Sequence, residues 1–243
     1  ESMWAWGFNR YGQIGDCAYI SSNAPKKIMN EVKVVSAGGN HSMAIKNDGS
    51  LWTWGDNSFA QLGDGTYTIS ASPKKIIESV KYISAGGKHS MAVKDDNSLW
   101  TWGYNYYAQL GDGTYKNVTT PKQILNDIVK IDAGGNHSMA LKTDGSTLVW
   151  GYNSYFQIGD GTTNNSTTPK TIIEGNKNVE EKPTIVSDPV MAIAAKPNSS
   201  SVLINGTKVD FESYNIDGYN YFKLRDLAAS LNGTEKNFEV TWD

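Results

Sequence analysis

The chain has 243 residues, 39% hydrophobic, 11% aromatic and 19% charged, with a net charge of -3, enough for one large domain or two modest ones. Of its 22 basic residues only Arg10 and Arg225 are arginine, so it lacks the arginine-rich basic face of a nucleic-acid binder, and no nucleic-acid partner is expected. Cys17 is the one cysteine, which excludes an internal disulfide, and no apolar run approaches the ~18 residues a membrane-spanning helix needs.

The first residues, Glu1-Ser2-Met3-Trp4, already lie inside a repeat. The sequence is therefore expected to be a fragment of a longer polypeptide at both ends, and no signal peptide opens it. Trp6-Gly7, Trp54-Gly55, Trp102-Gly103 and Trp150-Gly151 stand 48 residues apart, and Pro25, Pro73, Pro121 and Pro169 keep the same step, as do His41, His89 and His137. A period of 48 in several independent columns falls in the range of propeller blades.

Each period predicts four short strands, the number in a propeller blade. Ser42-Met43-Ala44-Ile45-Lys46 alternates and suits a strand with one buried face. Asn47-Asp48-Gly49 is a tight turn requiring positive φ, for which Asn97 substitutes in the next repeat. Leu51-Trp52-Thr53-Trp54 returns, followed by a loop over 55–66. Pro73 opens a third strand, 74–77, at an end position where its missing N–H costs little. Lys81-Tyr82-Ile83-Ser84-Ala85 is the fourth, running into Gly86-Gly87. The repeats end near Ile173, giving about 3.5 blades in an open arc over residues 1–174. That count includes a final period that stops after Thr171-Ile172-Ile173.

Residues 175–201, with Pro183, Pro189, Pro197 and Ser199-Ser200-Ser201, read as a linker with a short strand at 190–195. A small α+β unit follows over 202–243. Asn205-Gly206 marks a hairpin turn, and Asp217-Gly218 precedes a strand at 219–222. Residues 223–231 form a helix with Leu224, Leu227, Ala228 and Leu231 on one face and Gly233 beyond it. A last strand begins at 238–242.

The run Ala85-Gly86-Gly87-Lys88-His89-Ser90-Met91-Ala92-Val93, then Trp102-Gly103, Asn105, Gln109-Leu110-Gly111-Asp112-Gly113 and Pro121, resembles the regulator of chromosome condensation repeat. That resemblance covers residues 1 to about 174 and implies a seven-bladed β-propeller. Leu203-Ile204-Asn205-Gly206 and Tyr221-Phe222-Lys223-Leu224-Arg225-Asp226-Leu227-Ala228 resemble the stalk domain named after the N-terminal domain of copper amine oxidases. This second resemblance implies an accessory module of a secreted or cell-surface bacterial protein, cut short at Asp243. It does not imply oxidase chemistry, because the three histidines all lie in the repeats.

No catalytic, cofactor or metal site is expected. His41, His89 and His137 recur one per blade around a ring instead of converging on an ion, and are read as structural, each bonding within its own blade. Trp6, Trp54, Trp102 and Trp150 are read as structural too. Asp16, Asp64, Asp112 and Asp160 suit Asx-type turns and lack the alternating acidic pattern of a calcium loop. The Gly-Gly pairs are not phosphate loops, since no lysine follows in the required pattern and no helix begins there. Ser42, Ser90 and Ser138 follow a histidine directly, and neighbours on a strand face opposite ways. Cys17 is a variation in a glycine column.

What remains is surface. Arg10, Tyr67, Tyr104, Tyr106, Tyr115 and Tyr152 are the expected partner-binding residues, since Tyr gives large contact area at low entropic cost. The column of Tyr11, Phe59, Tyr107 and Tyr155 is read as core packing. The expected function is a non-catalytic binding module for a protein or cell-wall glycan, with further repeats of the same polypeptide completing the propeller. Inhibition of an enzyme such as a β-lactamase, or service to a catalytic domain outside this sequence, are the alternatives. Nucleotide exchange on a small GTPase, known in the repeat family, finds no matching motif here.

Overall fold

The computed structural model describes residues 1–175 in full and the backbone of 196–204, 207–216 and 219–222. The chain divides into two compact units, Glu1–Glu180 and Glu181–Asp243.

The first unit is all antiparallel β. A two-stranded sheet pairs β1 (Ser2–Gly7) with β2 (Ser22–Asn30), and three four-stranded sheets follow. These are β3 (Val32–Ala37), β4 (His41–Lys46), β5 (Leu51–Gly55) and β6 (Ser70–Ile77); β7 (Val80–Ala85), β8 (His89–Lys94), β9 (Leu99–Gly103) and β10 (Val118–Leu125); and β11 (Ile128–Ala133), β12 (His137–Lys142), β13 (Thr147–Gly151) and β14 (Ser166–Ile173). In each sheet the strands lie side by side in chain order. This is three complete propeller blades preceded by half of one.

The periodicity finds all four strands of a blade but not where the blade begins. Residues 80–85 do not close the sheet of the strands before them; they pair with β8, Ala85 opposite Ser90. The chain reverses after β6 at Ser79, whose φ is 61°, and passes to the innermost position of the next sheet. The half blade therefore stands at the front of the arc, and the last sheet is whole. Pro25, Pro73, Pro121 and Pro169 fall inside the outermost strands, where a missing N–H faces no neighbour, and the register slips beside them.

The second strand of a blade is covered on both faces, not one. Met43 and Ile45 join Leu51 against Val80, Ala92 and Trp102 of the following blade. Ala44, on the other face, packs with Met3, Val32 and Trp54. Met91, Val93 and Leu99 repeat the arrangement against Ala140, Leu148 and Trp150. Large side chains on one face and alanine on the other let sheets stack at close-packed density. Trp54, Trp102 and Trp150 are buried, whereas Trp6, in the first repeat of the chain, is 60% exposed.

The histidines correct a second expectation. His41 Nε2 lies 2.9 Å from Ser90 Oγ, and His89 Nε2 2.9 Å from Ser138 Oγ, so each bonds to the next blade and not within its own. The cause is the glycine pair before it: a Cβ on Gly38 would stand 2.4 Å from His41 Cε1. Without one, the ring lies over the turn and points along the seam. Ser90 Oγ in turn donates to Gln61 O at 2.7 Å, which leaves His41 Nε2 as the donor to Ser90. Gly39 permits the main-chain approach beside it, donating to Gly86 O at 3.2 Å, where a Cβ would meet Gly87 O at 2.5 Å.

In the second unit β15 (Lys196–Ile204), β16 (Thr207–Ile216) and β17 (Tyr219–Phe222) form an antiparallel sheet. Ile204 pairs with Thr207 and Ile216 with Tyr219; the turns expected at Asn205-Gly206 and Asp217-Gly218 lie outside the described residues. β15 begins at Lys196, inside the segment that composition marks as linker. The expected strand at 190–195, helix at 223–231 and strand at 238–242 lie outside the described residues.

Candidate functional site

Strands of alternating direction place the Gly-Gly turns and the long loops after Trp-Gly at one end of the blades. Hydrogen bonds join them there: Asp56 N to Asn40 O, Tyr104 N to Lys88 O and Tyr152 N to Asn136 O, at 2.8 to 3.0 Å. The opposite end carries the short turns, with Asn47 N bonded to Glu31 O and Asp95 N to Ser79 O. The loops at the first end are the candidate site.

Each loop is fixed from within by one asparagine. Asn105 is fully buried. Its Oδ1 accepts from Leu110 N at 2.9 Å, and its Nδ2 donates to Asp112 Oδ1 and Thr114 O, each at 3.0 Å. Asn9, Asn57 and Asn153 do the same in their loops. Gln109 Oε1 accepts from Tyr107 N, while Gln109 O accepts from Ser138 Oγ and Trp150 Nε1 of the next blade at 2.7 and 2.9 Å. A Cβ on Gly111 would lie 2.6 Å from that indole nitrogen, so only glycine lets loop and tryptophan meet.

The aspartates make the Asx turns the sequence suggests. Asp112 Oδ1 accepts from Thr114 N at 3.0 Å, and its Oδ2 pairs with Lys122 at 2.8 Å. Burial works against its charge, but the hydrogen bonds from Lys122 and Thr114 prevail and hold the carboxyl below the usual range. Lys170 does the same to Asp160. Cys17 holds the glycine position with φ of 62° and is exposed.

On this scaffold the aromatic rings form a continuous belt across three loops. Phe59 meets Tyr104 at 4.7 Å between centroids, Tyr104 meets Tyr107 at 6.2 Å, Tyr107 meets Tyr152 at 4.8 Å, and Tyr152 meets Tyr155 at 6.0 Å. Tyr106 stacks on Tyr104 and abuts Tyr107. Partial burial, with Tyr107 and Tyr106 alongside, raises the Tyr104 phenol and keeps it neutral. Lys88 Nζ sits 4.2 Å above the Phe59 ring and 5.6 Å from that of Tyr104, within cation–π range.

Of the residues expected to bind, Tyr104, Tyr106 and Tyr152 lie in the belt. Tyr67 and Tyr115 are each 54% exposed on the later half of their loops, away from it. Arg10 is exposed on the first loop. Of the column read as core packing, Phe59, Tyr107 and Tyr155 belong to the belt: Phe59 and Tyr107 are half-buried by the following loop's tyrosine, Tyr155 is 78% exposed, and Tyr11 lies outside it, half-buried against Phe8. Lys88 was missed; the signal was its departure from Asn40 and Asn136 in an otherwise constant column.

The His–Ser pairs are closed off within the seams. Burial lowers His41 to about 4, against a small opposing effect of Asp56, and lowers His89 to about 3, helped by His41 and His137. Ser90 is itself buried with its proton committed to Gln61 O. Among the described residues no group of His, Cys, Asp and Glu could hold a metal ion, and no helix is long and apolar enough to cross a membrane.

Residues 1–209 match the model of a family described as the RCC1-like domain. Human WBSCR16 is similar in structure, with a TM-score of 0.64 and 24% identity over 71% of this chain and 48% of that one. Prp20p of Saccharomyces cerevisiae, which binds Gsp1p and histones, gives 0.65 and 23% over 70% and 46%. Yeast RCC1 (Prp20) bound to Kap60 gives 0.63 and 21% over 94% and 52%. These likenesses show the fold, and the chain spans about half the length of each solved structure. No curated protein matches it.

Proposed function

The chain belongs to the RCC1-like domain family, and from that premise we propose that it is a non-catalytic protein-binding module which holds its partner on the aromatic belt of the loop face. The observation that carries this reading is the unbroken set of ring contacts from Phe59 to Tyr155 on loops pinned by buried asparagines. Rigid aromatic anchors lose little side-chain entropy on binding and make disproportionate contributions at interfaces. Tyr106 and Tyr155 are exposed on it and the other four rings partly so, a contiguous set and not scattered surface apolarity. The deeply buried, neutral His41 and His89 support a structural use for the polar groups that repeat, and the loops that vary between repeats supply the recognition. The resemblance of the 202–243 segment to stalk modules favours display by a secreted or cell-surface bacterial protein.

The test is capture of partners from culture fluid and cell wall by the full chain, beside a Tyr106→Ala/Tyr107→Ala variant. Partners retained by the first and lost by the second, with the unfolding transition unchanged, support the belt. Equal recovery by both chains places binding elsewhere and sinks the reading.

A further inference from the structure

At the loop end the acids are committed to internal contacts more fully than the cations. Building on the reading of the loop face as the binding surface, we infer that the partner brings an acidic segment to it. A carboxylate would meet Lys88, apolar side chains would lie on the rings beside it, and Arg10 and Lys116, exposed on loops of the same end, would add to the positive field. The loops 8–21, 56–69, 104–117 and 152–165 contain five carboxylates: Asp16, Asp56, Asp64, Asp112 and Asp160. All five are consumed internally, and among the described residues the exposed acid at this end is Asp132, two residues before the Gly134-Gly135 turn. Asp16, Asp64, Asp112 and Asp160 pair with Lys26, Lys74, Lys122 and Lys170, and their own side chains are at most 11% exposed. Asp56 is buried and accepts from Ser58 N at 2.9 Å and Ser58 Oγ at 2.6 Å.

The cations of the same end are not consumed. Arg10, Lys88 and Lys116 are exposed, and among the described residues none has an ion pair. Lys88 is held over Phe59 and Tyr104 by ring contacts alone, which fixes an ammonium at the edge of the belt without neutralising it. At the other end the acidic turns, which contain Asp48, Asp95, Asp96, Asp127 and Asp144, are matched by neighbouring lysines, as in the pairs Lys46–Glu31 and Lys75–Glu78. An acidic partner is thus drawn to the loop face, where unpaired cations outnumber unpaired carboxylates.

The test pans a random dodecapeptide phage library on the immobilised full chain, on Lys88→Glu/Lys116→Glu and on Tyr106→Ala/Tyr107→Ala. The wild-type chain should enrich peptides rich in Asp and Glu with interspersed aromatic or aliphatic residues. Labelled copies should lose about tenfold in affinity when salt rises from roughly 50 to 300 mM, and at least about tenfold on the charge-reversed chain. Enrichment of basic or neutral peptides, whose binding ignores salt and Lys88→Glu but still needs the tyrosines, overturns the acidic inference and leaves the binding face standing. A glycan array bound through the tyrosines, with no peptide enriched, overturns it likewise. Recovery of nothing that depends on the tyrosines defeats both readings.

Discussion

Asn105→Ala probes what keeps a recognition loop rigid. The side chain is fully buried and satisfies three groups: Leu110 N at 2.9 Å, Asp112 Oδ1 at 3.0 Å and Thr114 O at 3.0 Å. Truncation strands the Leu110 N–H, since Leu110 is buried too, at about 1–3 kcal/mol. Asp112 keeps Lys122 and Thr114, so its loss adds only about 1 kcal/mol, and the small void left by the amide adds about as much again. The expected total is about 3–5 kcal/mol, the range in which single changes are diagnostic of a broken buried network. Denaturation of the full chain, followed by tryptophan fluorescence, reads it through Trp150, whose indole is bonded to the same loop at Gln109 O. Asn105→Asp is the companion. It keeps the acceptor for Leu110 N but sets a carboxylate beside Asp112, and should be at least as costly at neutral pH. A loss below about 1 kcal/mol for Asn105→Ala would show that backbone bonds alone hold the loop.

Two further outcomes follow from the seams. His41 has its folded pKa lowered to about 4 from the ordinary 6.5, so the unfolded chain takes up the proton first. Its stabilising contribution is whole above about pH 6.5 and is lost as pH falls toward 4, amounting to about 2 kcal/mol between pH 7 and 4.5. Urea titrations of the wild-type chain and His41→Gln at the two pH values should show a shallower pH dependence in the variant; parallel behaviour would contradict a buried neutral imidazole. Separately, a double-mutant cycle of His41→Ala and Ser90→Ala should return a coupling of about 1–2 kcal/mol. Additivity would mean that the contact across the seam is not made.

Much of this was legible in the sequence because the step of 48 repeats everything at once. Trp54, Pro73 and His89 each mark one place on a blade, and Asn97 in its turn has the positive φ of 67° that its column requires. A period has no origin, however. Four strands read in cyclic order look alike wherever the cut is made, so the pairing of 80–85 with β8 needed coordinates. Partners one period away were equally hidden: His41 and Ser90 are 49 residues apart, and nothing local shows that the ring leans across a seam. The column rule failed for Tyr155 because equal positions do not have equal neighbours. Phe59 and Tyr107 each have a tyrosine of the following loop against them, whereas Tyr155, among the described residues, meets only Tyr152 of its own loop. Lys88 was overlooked for the opposite reason, as a single change in a column assumed to be interchangeable.

The carbonyls of Gln13, Gln61 and Gln109 each hold an indole and a serine hydroxyl of the neighbour in sequence, with the same atoms every time. Cohesion is therefore modular and nearest-neighbour, as in a linear array of coupled units. Duplication or loss of one whole period by recombination would recreate a matched joint at the splice, whereas a change of any other length would set an indole against the wrong carbonyl. The arc can thus be lengthened or shortened in evolution without redesign of a single contact, while its outward loops diversify independently.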